Sequence, residues 1–137
     1  MKIVIDTNIL VSGLLTPFGN PAEILRLLTL GKVTICMDAR IMAEYFEVLY
    51  RPKFTFDKDT VAVLLKEIEL LGNFATGIPL NESLPDPADD MFLEVALGCN
   101  AECIITGNLN HFPKKRYADV QIFSPNDFLK YYKKKSI

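Results

Sequence analysis

Three acidic residues that are far apart in the chain lie where predicted secondary-structure elements begin or end. Asp6 follows a short apolar strand, Glu44 lies about two turns into a predicted helix, and Asp90 lies at the start of another helix. A cluster of these carboxylates would repel itself unless a divalent cation neutralised it. Oxygen ligands without His or Cys favour Mg²⁺ or Mn²⁺. The alternative for Glu44 is an exposed helical acid.

Other polar residues flank these acids, and several have a purely structural interpretation. Asn108 lies two residues beyond Thr106, where a predicted strand ends, so both are expected close to the acids. Asp86 and Asp89 could support the site, but they also fit the N-cap and first turn of the helix that follows, and we favour that interpretation for this pair. Asn8 could support the site or cap a short helix after the first strand.

The elements that must position these residues alternate between strands and helices. Predicted strands cover residues 2–5, 33–36, 103–106 and 120–123. Predicted helices cover residues 22–30, 38–50, 57–71 and 89–99, with a last one starting at 125. Three of the strands are continuous apolar runs, which are typical of a parallel sheet covered on both faces. In such a sheet ligands bind beyond the carboxyl ends of the strands, where Asp6 and Asn108 fall.

Length and composition indicate a single globular domain. A chain of 137 residues, half of them hydrophobic, is expected to form a single domain over residues 1–137. No apolar run reaches the ~18 residues of a membrane span, and no signal-peptide pattern opens the chain, so we expect a cytoplasmic protein without a membrane partner. Without a glycine-rich loop ending in Lys-Ser or Lys-Thr, a Walker-type nucleotide site is excluded.

Cysteine and histidine usage argues against a zinc site. The three cysteines, Cys36, Cys99 and Cys103, include no Cys-x-x-Cys pair, and the chain has one His. We therefore expect three buried, reduced thiols.

Charge is distributed unevenly along the chain. Residues 114–137 carry a net charge of +5, whereas residues 1–113 carry −7. This pattern can suit a protein that binds a metal at an acidic centre and a polyanion beside it. The basic end itself, residues 133–137, is expected to be a frayed tail.

Four segments, taken together and in this order, resemble the PIN-domain nucleases. They are "IDTNIL" at the start, "EYFEVLYRPKF" at 44–54, "DPADDMFLEVALG" at 86–98 and "CIITGNLNHFP" at 103–113. Within this family the chain resembles the toxin components of prokaryotic toxin–antitoxin pairs. The resemblance implies a three-layer α/β/α sandwich, Rossmann-like, around a central parallel sheet of about four to five strands. It also implies a metal-dependent endoribonuclease that hydrolyses RNA phosphodiester bonds.

The resemblance assigns roles to individual residues. Asp6, Glu44 and Asp90 match the three catalytic, metal-binding acids of the family, and Thr106 matches a supporting hydroxyl. Asn108 stands where many PIN nucleases carry a fourth acid, and a neutral amide is a poorer metal ligand. The number of metal ions, one or two, therefore stays open. The alternative function is a catalytically weak or inactive PIN-like module that binds RNA or protein.

The expected partners are an RNA substrate, an antitoxin protein that blocks the cleft and a second copy of the chain in a homodimer. The sequence does not identify the RNA that is cleaved. Candidate contacts to the RNA backbone are basic residues outside the acidic cluster, namely Arg40, Arg51, Lys53, Lys114, Lys115 and Arg116.

Overall fold

One six-stranded sheet forms the centre of the computed structural model, which describes residues 1–135. The strands are β1 (Lys2–Ile5), β2 (Thr34–Met37), β3 (Asn73–Phe74), β4 (Cys103–Ile105), β5 (Arg116–Tyr117) and β6 (Val120–Phe123). They lie in the order β3-β2-β1-β4-β6-β5, and every pair is parallel except β5 with β6. The predicted α/β fold is confirmed. The two strands beyond the predicted four, β3 and β5, have two residues each, too few to show a sequence pattern.

Six helices within residues 1–135 flank the sheet. They are α1 (Thr7–Leu15), α2 (Asn20–Thr29), α3 (Ala39–Leu49), α4 (Lys58–Leu71), α5 (Asp90–Gly98) and α6 (Pro125–Lys135). Short 3₁₀ turns occur at Pro52–Phe54, Pro87–Asp89 and Leu109–His111. Within residues 1–135 no helix is both long and apolar enough to cross a bilayer.

Capping residues fix where the helices begin. Asp38 accepts a hydrogen bond from the Ile41 N–H at the start of α3, and Asp57 accepts one from Thr60 at the start of α4. These side chains satisfy backbone donors that have no partner inside the helix. The predicted starts of both helices are thus explained by local chemistry.

Strand β1 lies at the centre of the sheet, between β2 and β4. Ile3, Val4 and Ile5 are fully buried, because helices cover both faces and each residue meets apolar neighbours. In the register Ile5 lies opposite Ile105. The residues after them, Asp6 and Thr106, therefore leave the sheet side by side.

The carboxyl end of α5 packs very closely on the chain that precedes it. A Cβ atom at Gly98 would lie 1.9 Å from the Thr76 carbonyl oxygen, and the Ile78 N–H donates to the Glu94 carbonyl at 2.9 Å. Glycine is required at position 98 because any side chain would displace this backbone. The contact fixes α5, and with it the acids at its other end.

Two further expectations concern the cysteines and the C-terminal residues. The three cysteines are free and buried, as predicted. The sequence predicts a frayed tail over 133–137, but residues 133–135 form the last turn of α6. Residues 136 and 137 lie outside the described part of the chain.

Candidate active site

Asp6 and Thr106 meet where the two central strands β1 and β4 end. The Thr106 hydroxyl donates a hydrogen bond of 2.8 Å to Oδ2 of Asp6, and both residues are buried. The Asn108 N–H in turn donates to the Thr106 hydroxyl oxygen at 3.0 Å. The loop after β4 thereby fixes the orientation of the Asp6 carboxylate.

Burial disfavours the charged form of Asp6. Desolvation raises the pKa of this carboxyl above its ordinary value. The Thr106 hydrogen bond, the charge of His111 and the backbone N–H groups of Thr7 and Asn8 act in the opposite direction. Within residues 1–135 no Lys or Arg side chain forms an ion pair with Asp6. The Asp6 carboxylate is therefore held in place, but the cost of burying its charge is only partly compensated.

Helix α3 brings Glu44 to the same edge of the sheet. The Thr7 hydroxyl, next to Asp6 in the chain, donates a short hydrogen bond to Oε2 of Glu44. The neighbouring residue Tyr45 is fully buried, and its hydroxyl donates to the Ile5 carbonyl at 2.5 Å. Burial and the charges of Asp6 and Glu44 raise the pKa of Tyr45 well above its ordinary value. Asp6 and Glu44 thus belong to one site.

The other acid of α3 faces away from this site. Glu47 lies one turn after Glu44, its side chain is 61% exposed, and it pairs with Arg51 at 2.7 Å. The helical face that carries Glu44 is therefore the one directed at the sheet edge.

Asp89 is the third acid that the structure places near Asp6. It is only 8% exposed although it precedes α5 in a 3₁₀ turn. Burial first, and then the charge of Asp6, raise its pKa to about 6. His111 Nδ1 lies 3.0 Å from Asp89 Oδ2, within ion-pair distance, and this buried oxygen accepts no well-aligned hydrogen bond from residues 1–135.

Asp90, the residue favoured by the sequence analysis, turns elsewhere. Its Oδ1 accepts the Leu84 N–H at 2.8 Å and its Oδ2 accepts the Ser83 hydroxyl at 2.7 Å. Both carboxylate oxygens thus hold the 83–84 segment. Asp86 caps the 3₁₀ turn by accepting the Ala88 N–H at 3.0 Å, as its structural interpretation predicts. The Asp90 carboxylate is thus occupied by the 83–84 segment, whereas Asp89 is the acid whose charge interacts with Asp6.

The two predicted amides lie at the exposed margin of the site. Asn8 is the second residue of α1, after Asp6 at the N-cap position, so it does not cap this helix. Asn108 is exposed, and its contact with the site runs through its backbone N–H. Neither side chain is drawn into the buried part of the cluster.

Sequence reasoning missed His111. The single histidine served only as an argument against zinc, yet its charge acts on Asp6 and its ring contacts Asp89. A signal was available, because His111 lies three residues after Asn108 in a loop already expected at the site.

The donor chemistry of the site suits a hard divalent cation. The side chains of Asp6, Glu44 and Asp89 offer only oxygen, which Mg²⁺ and Mn²⁺ prefer. Within residues 1–135, however, no three Asp, Glu, His or Cys side chains converge into a ready-made metal cluster. The pKa values of Asp6 and Asp89 are raised, and Asp89 Oδ2 accepts no well-aligned hydrogen bond from residues 1–135. A cation bound here would compensate the negative charge of these two carboxylates.

The six predicted RNA contacts fall into two groups, three arginines that form ion pairs with acids and three lysines that form none within residues 1–135. All three arginines form ion pairs with acids of this chain, which reduces their availability to phosphate. The pairs are Arg40 with Asp38 (2.8 Å) and Glu94 (2.7 Å), Arg51 with Glu47 (2.7 Å), and Arg116 with Asp119 (3.0 Å).

The lysines have no such partners among the described residues. Lys53 lies over the Phe54 ring, 5.0 Å from its centre. Lys114 and Lys115 line a cavity of about 480 Å³ together with Leu109 and Asn110, the two residues before His111. This cavity therefore adjoins the loop that carries His111 into the acidic site.

Comparison with known proteins identifies the family. The family model of the PIN domain matches residues 2–110, which include most of the chain and the acids Asp6, Glu44, Asp89 and Asp90. No curated protein matched the sequence. PIN domains are typically nucleases, and the family generally uses divalent metals. With this match and a mostly parallel α/β fold of the expected kind, the chain belongs to the PIN-domain family.

Proposed function

We propose that Asp6, Glu44 and Asp89 form the active site of a metal-dependent endoribonuclease that hydrolyses RNA phosphodiester bonds. The observation that carries this proposal is the Asp6 carboxylate. It is buried at the ligand-binding edge of the sheet and oriented by Thr106, but it has no Lys or Arg partner within residues 1–135. A charge kept under these conditions costs stability, so a functional reason for it is required.

The three acids would hold Mg²⁺ or Mn²⁺ through their oxygen atoms, with Asn108 as a weaker ligand at the margin. When bound, the cation supplies positive charge to the scissile phosphate and to the leaving oxygen and makes a water molecule more acidic. Asp90, matched to the family by sequence, would act indirectly by fixing the 83–84 segment beside the site.

Other residues of the chain orient these acids and the substrate. Thr106 and Thr7 donate hydrogen bonds that fix the carboxylates of Asp6 and Glu44. Fixed ligands lose less entropy when the reactive complex forms. Lys114 and Lys115 line the adjoining cavity, and we propose that they bind the RNA backbone.

The biological role follows from the resemblance of the four motif segments. We propose that the protein is the toxin of a toxin–antitoxin pair, acts in the cytoplasm as a homodimer and is inhibited by an antitoxin that covers the acidic cleft. The test is to purify the chain alone and together with the candidate antitoxin, and to measure the mass of each sample in solution. The first sample tests the homodimer and the second tests the antitoxin complex.

A catalytically silent RNA-binding or protein-binding module is the second candidate. The exposed, neutral Asn108 favours it, because an acid at this position would help to hold a second cation. This candidate predicts binding of RNA without cleavage at any metal concentration.

Incubation of the protein with a pool of structured and unstructured RNAs tests the proposal. The reactions contain Mg²⁺, Mn²⁺ or a chelator, and the Glu47→Gln variant is the control because Glu47 lies outside the site. We expect cleavage with either metal, none with chelator and no effect of Glu47→Gln. Binding without cleavage under all conditions would support the silent module instead.

A further inference from the structure

We propose that His111 is a positioning residue that holds the Asp89 carboxylate in the orientation required by the nuclease site. This inference rests on the proposed function. His111 Nδ1 lies 3.0 Å from Asp89 Oδ2, within ion-pair distance, and no residue within 1–135 donates a well-aligned hydrogen bond to this buried oxygen. Asp89 is 8% exposed, so water has little access to replace the imidazole.

The turn that carries His111 is itself tied to the site. The His111 N–H donates to the Asn108 carbonyl at 3.0 Å, and the Asn108 N–H donates to the Thr106 hydroxyl. Thr106 in turn holds Asp6. A single short segment therefore positions two acids, Asp6 through Thr106 and Asp89 through the imidazole.

The next residue anchors this segment in the core. Phe112 is 3% exposed, and its N–H donates to the Leu109 carbonyl at 3.1 Å. The His111 backbone is thus held on both sides, and the ring needs little reorganisation to reach Asp89. The imidazole side chain remains 43% exposed, which is compatible with a position at the wall of an open cleft.

A polar contact that supports a metal-binding carboxylate has an effect of known size. Loss of such a supporting contact typically reduces metal affinity or activity ~10–100-fold. The contact acts on the reacting centre and not on the remote parts of the RNA. We therefore expect it to change kcat and the metal concentration needed for cleavage, and to leave KM for RNA within a few-fold.

Three substitutions separate the two ring nitrogens. The Asn amide nitrogen can occupy the place of Nδ1, whereas the Gln amide nitrogen reaches the place of Nε2. We expect His111→Ala and His111→Gln to lower kcat by ~10–100-fold and His111→Asn to restore it to within a few-fold of wild type. Glu47→Gln, whose side chain is exposed and lies outside the site, is the control for nonspecific effects of substitution.

Two kinetic outcomes would overturn the inference. Rescue by Gln but not by Asn would show that Nε2, and not the Nδ1 contact with Asp89, carries the effect. Wild-type kcat in His111→Ala would show that Asp89 needs no support.

A spectroscopic test does not depend on catalysis. Since His111 is the only histidine, the imidazole ¹⁵N NMR spectrum of the protein reports this ring alone. In spectra recorded at about pH 9, we expect the Nδ1–H tautomer in wild type and in Asp90→Ala. In Asp89→Ala we expect the Nε2–H tautomer that free imidazole prefers. An Nε2–H ring in the wild type would contradict the inference. The Nδ1–H tautomer in a protein that cleaves no RNA would instead show that the contact exists and that the proposed function is wrong.

Discussion

The individual residues that matter most are carboxyls whose burial opposes their charge. Asp6 and Asp89 are both nearly inaccessible, and desolvation raises the pKa of each. Thr106 and His111 offset part of this cost by donating hydrogen bonds or charge. In the free protein these two acids are therefore a source of instability that a bound cation would remove.

The pH dependence of stability follows from the Asp89 pKa of about 6 in the folded protein, against 3.8 for an ordinary Asp. Between these values the folded state binds more protons than the unfolded state. The free energy of unfolding of the metal-free protein should thus fall as pH rises from about 4 to about 7. We expect the Asp89 contribution to be on the order of 2 kcal/mol.

Urea unfolding of wild type and Asp89→Asn across this pH range measures the effect. The difference between the two proteins should be small near pH 4 and should grow in favour of Asp89→Asn towards pH 7. A constant difference would mean that Asp89 has an ordinary pKa.

A matched pair of substitutions distinguishes the adjacent acids Asp89 and Asp90. Asp89→Asn should abolish metal-dependent cleavage without loss of thermal stability, because it removes a desolvated charge. Asp90→Asn should keep most of the activity but lower the free energy of unfolding by about 1 kcal/mol, since it weakens the contacts with Ser83 and Leu84. Cleavage rates and melting curves of the two variants decide, and an inactive Asp90→Asn with an active Asp89→Asn would restore the assignment made from the sequence.

At the residue scale, the sequence predicts Asp90 as the metal-binding acid and favours a structural role for Asp89, whereas the structure places Asp89 near Asp6. Neighbouring residues at a helix start point in different directions, and the choice depends on the Leu84 N–H, a backbone donor six residues away. His111 was missed for a related reason. Its role depends on a contact across 22 positions of the chain, which no local pattern reveals.

The elements of the fold act as rigid supports for these residues. The parallel register of β1 and β4 places Asp6 beside Thr106, and the Asp6 N–H donates to the Ile105 carbonyl at 2.9 Å. Helix α3 is fixed to the end of β1 by the hydrogen bond from the buried Tyr45 hydroxyl. Side chains supported in this way can hold a site geometry more closely than side chains on a mobile loop.

Helix α3 gives a direct test of which helical face carries the site. Mg²⁺ or Mn²⁺ should raise the melting temperature of the wild type, because a ligand that binds only the native state stabilises it. The increase should largely disappear in Glu44→Gln and persist in Glu47→Gln, whose side chain is exposed and paired with Arg51. Thermal melts of the three proteins, recorded with and without about 5 mM metal, make this comparison. Loss of the shift in Glu47→Gln alone would show that the wrong face has been assigned.

Most elements were predictable because their signals are local. Apolar β-branched runs indicate β1 and β4, and the capping residues Asp38 and Asp57 mark the starts of α3 and α4. The short strands β3 and β5 were not predictable, since two residues pair only because neighbouring strands present a free edge. The helical state of residues 133–135 likewise depends on α6 as a whole and not on their own composition.

At the scale of the whole molecule, the acidic site lies beside a basic surface. The cavity next to the His111 loop contains Lys114 and Lys115, whereas Arg116 is paired with Asp119. Under the proposed function, the two lysines at the margin would oppose the repulsion between RNA phosphates and the acids. Positive charge near an acidic centre can direct a polyanion to it.

Salt dependence tests whether these lysines contact phosphate. The Lys114→Gln/Lys115→Gln double variant should bind single-stranded RNA more weakly, and the slope of log affinity against log salt should become less steep by about 1.4, or 0.7 for each phosphate contact. A double variant of the exposed α6 lysines, Lys130→Gln/Lys133→Gln, controls for net charge. Equal changes of slope in the two double variants would show that only overall charge matters.

The measurement that tests the central claim most directly is cleavage of one RNA by wild type and Asp6→Asn, with melting curves recorded on the same samples. Asp6 is the acid on which both the sequence and the geometry agree. The account predicts that folded Asp6→Asn has no metal-dependent cleavage and that, without metal, it melts at the same temperature as wild type or higher, because a buried charge has been removed. Full cleavage by folded Asp6→Asn would contradict the assignment of this site as the nuclease centre.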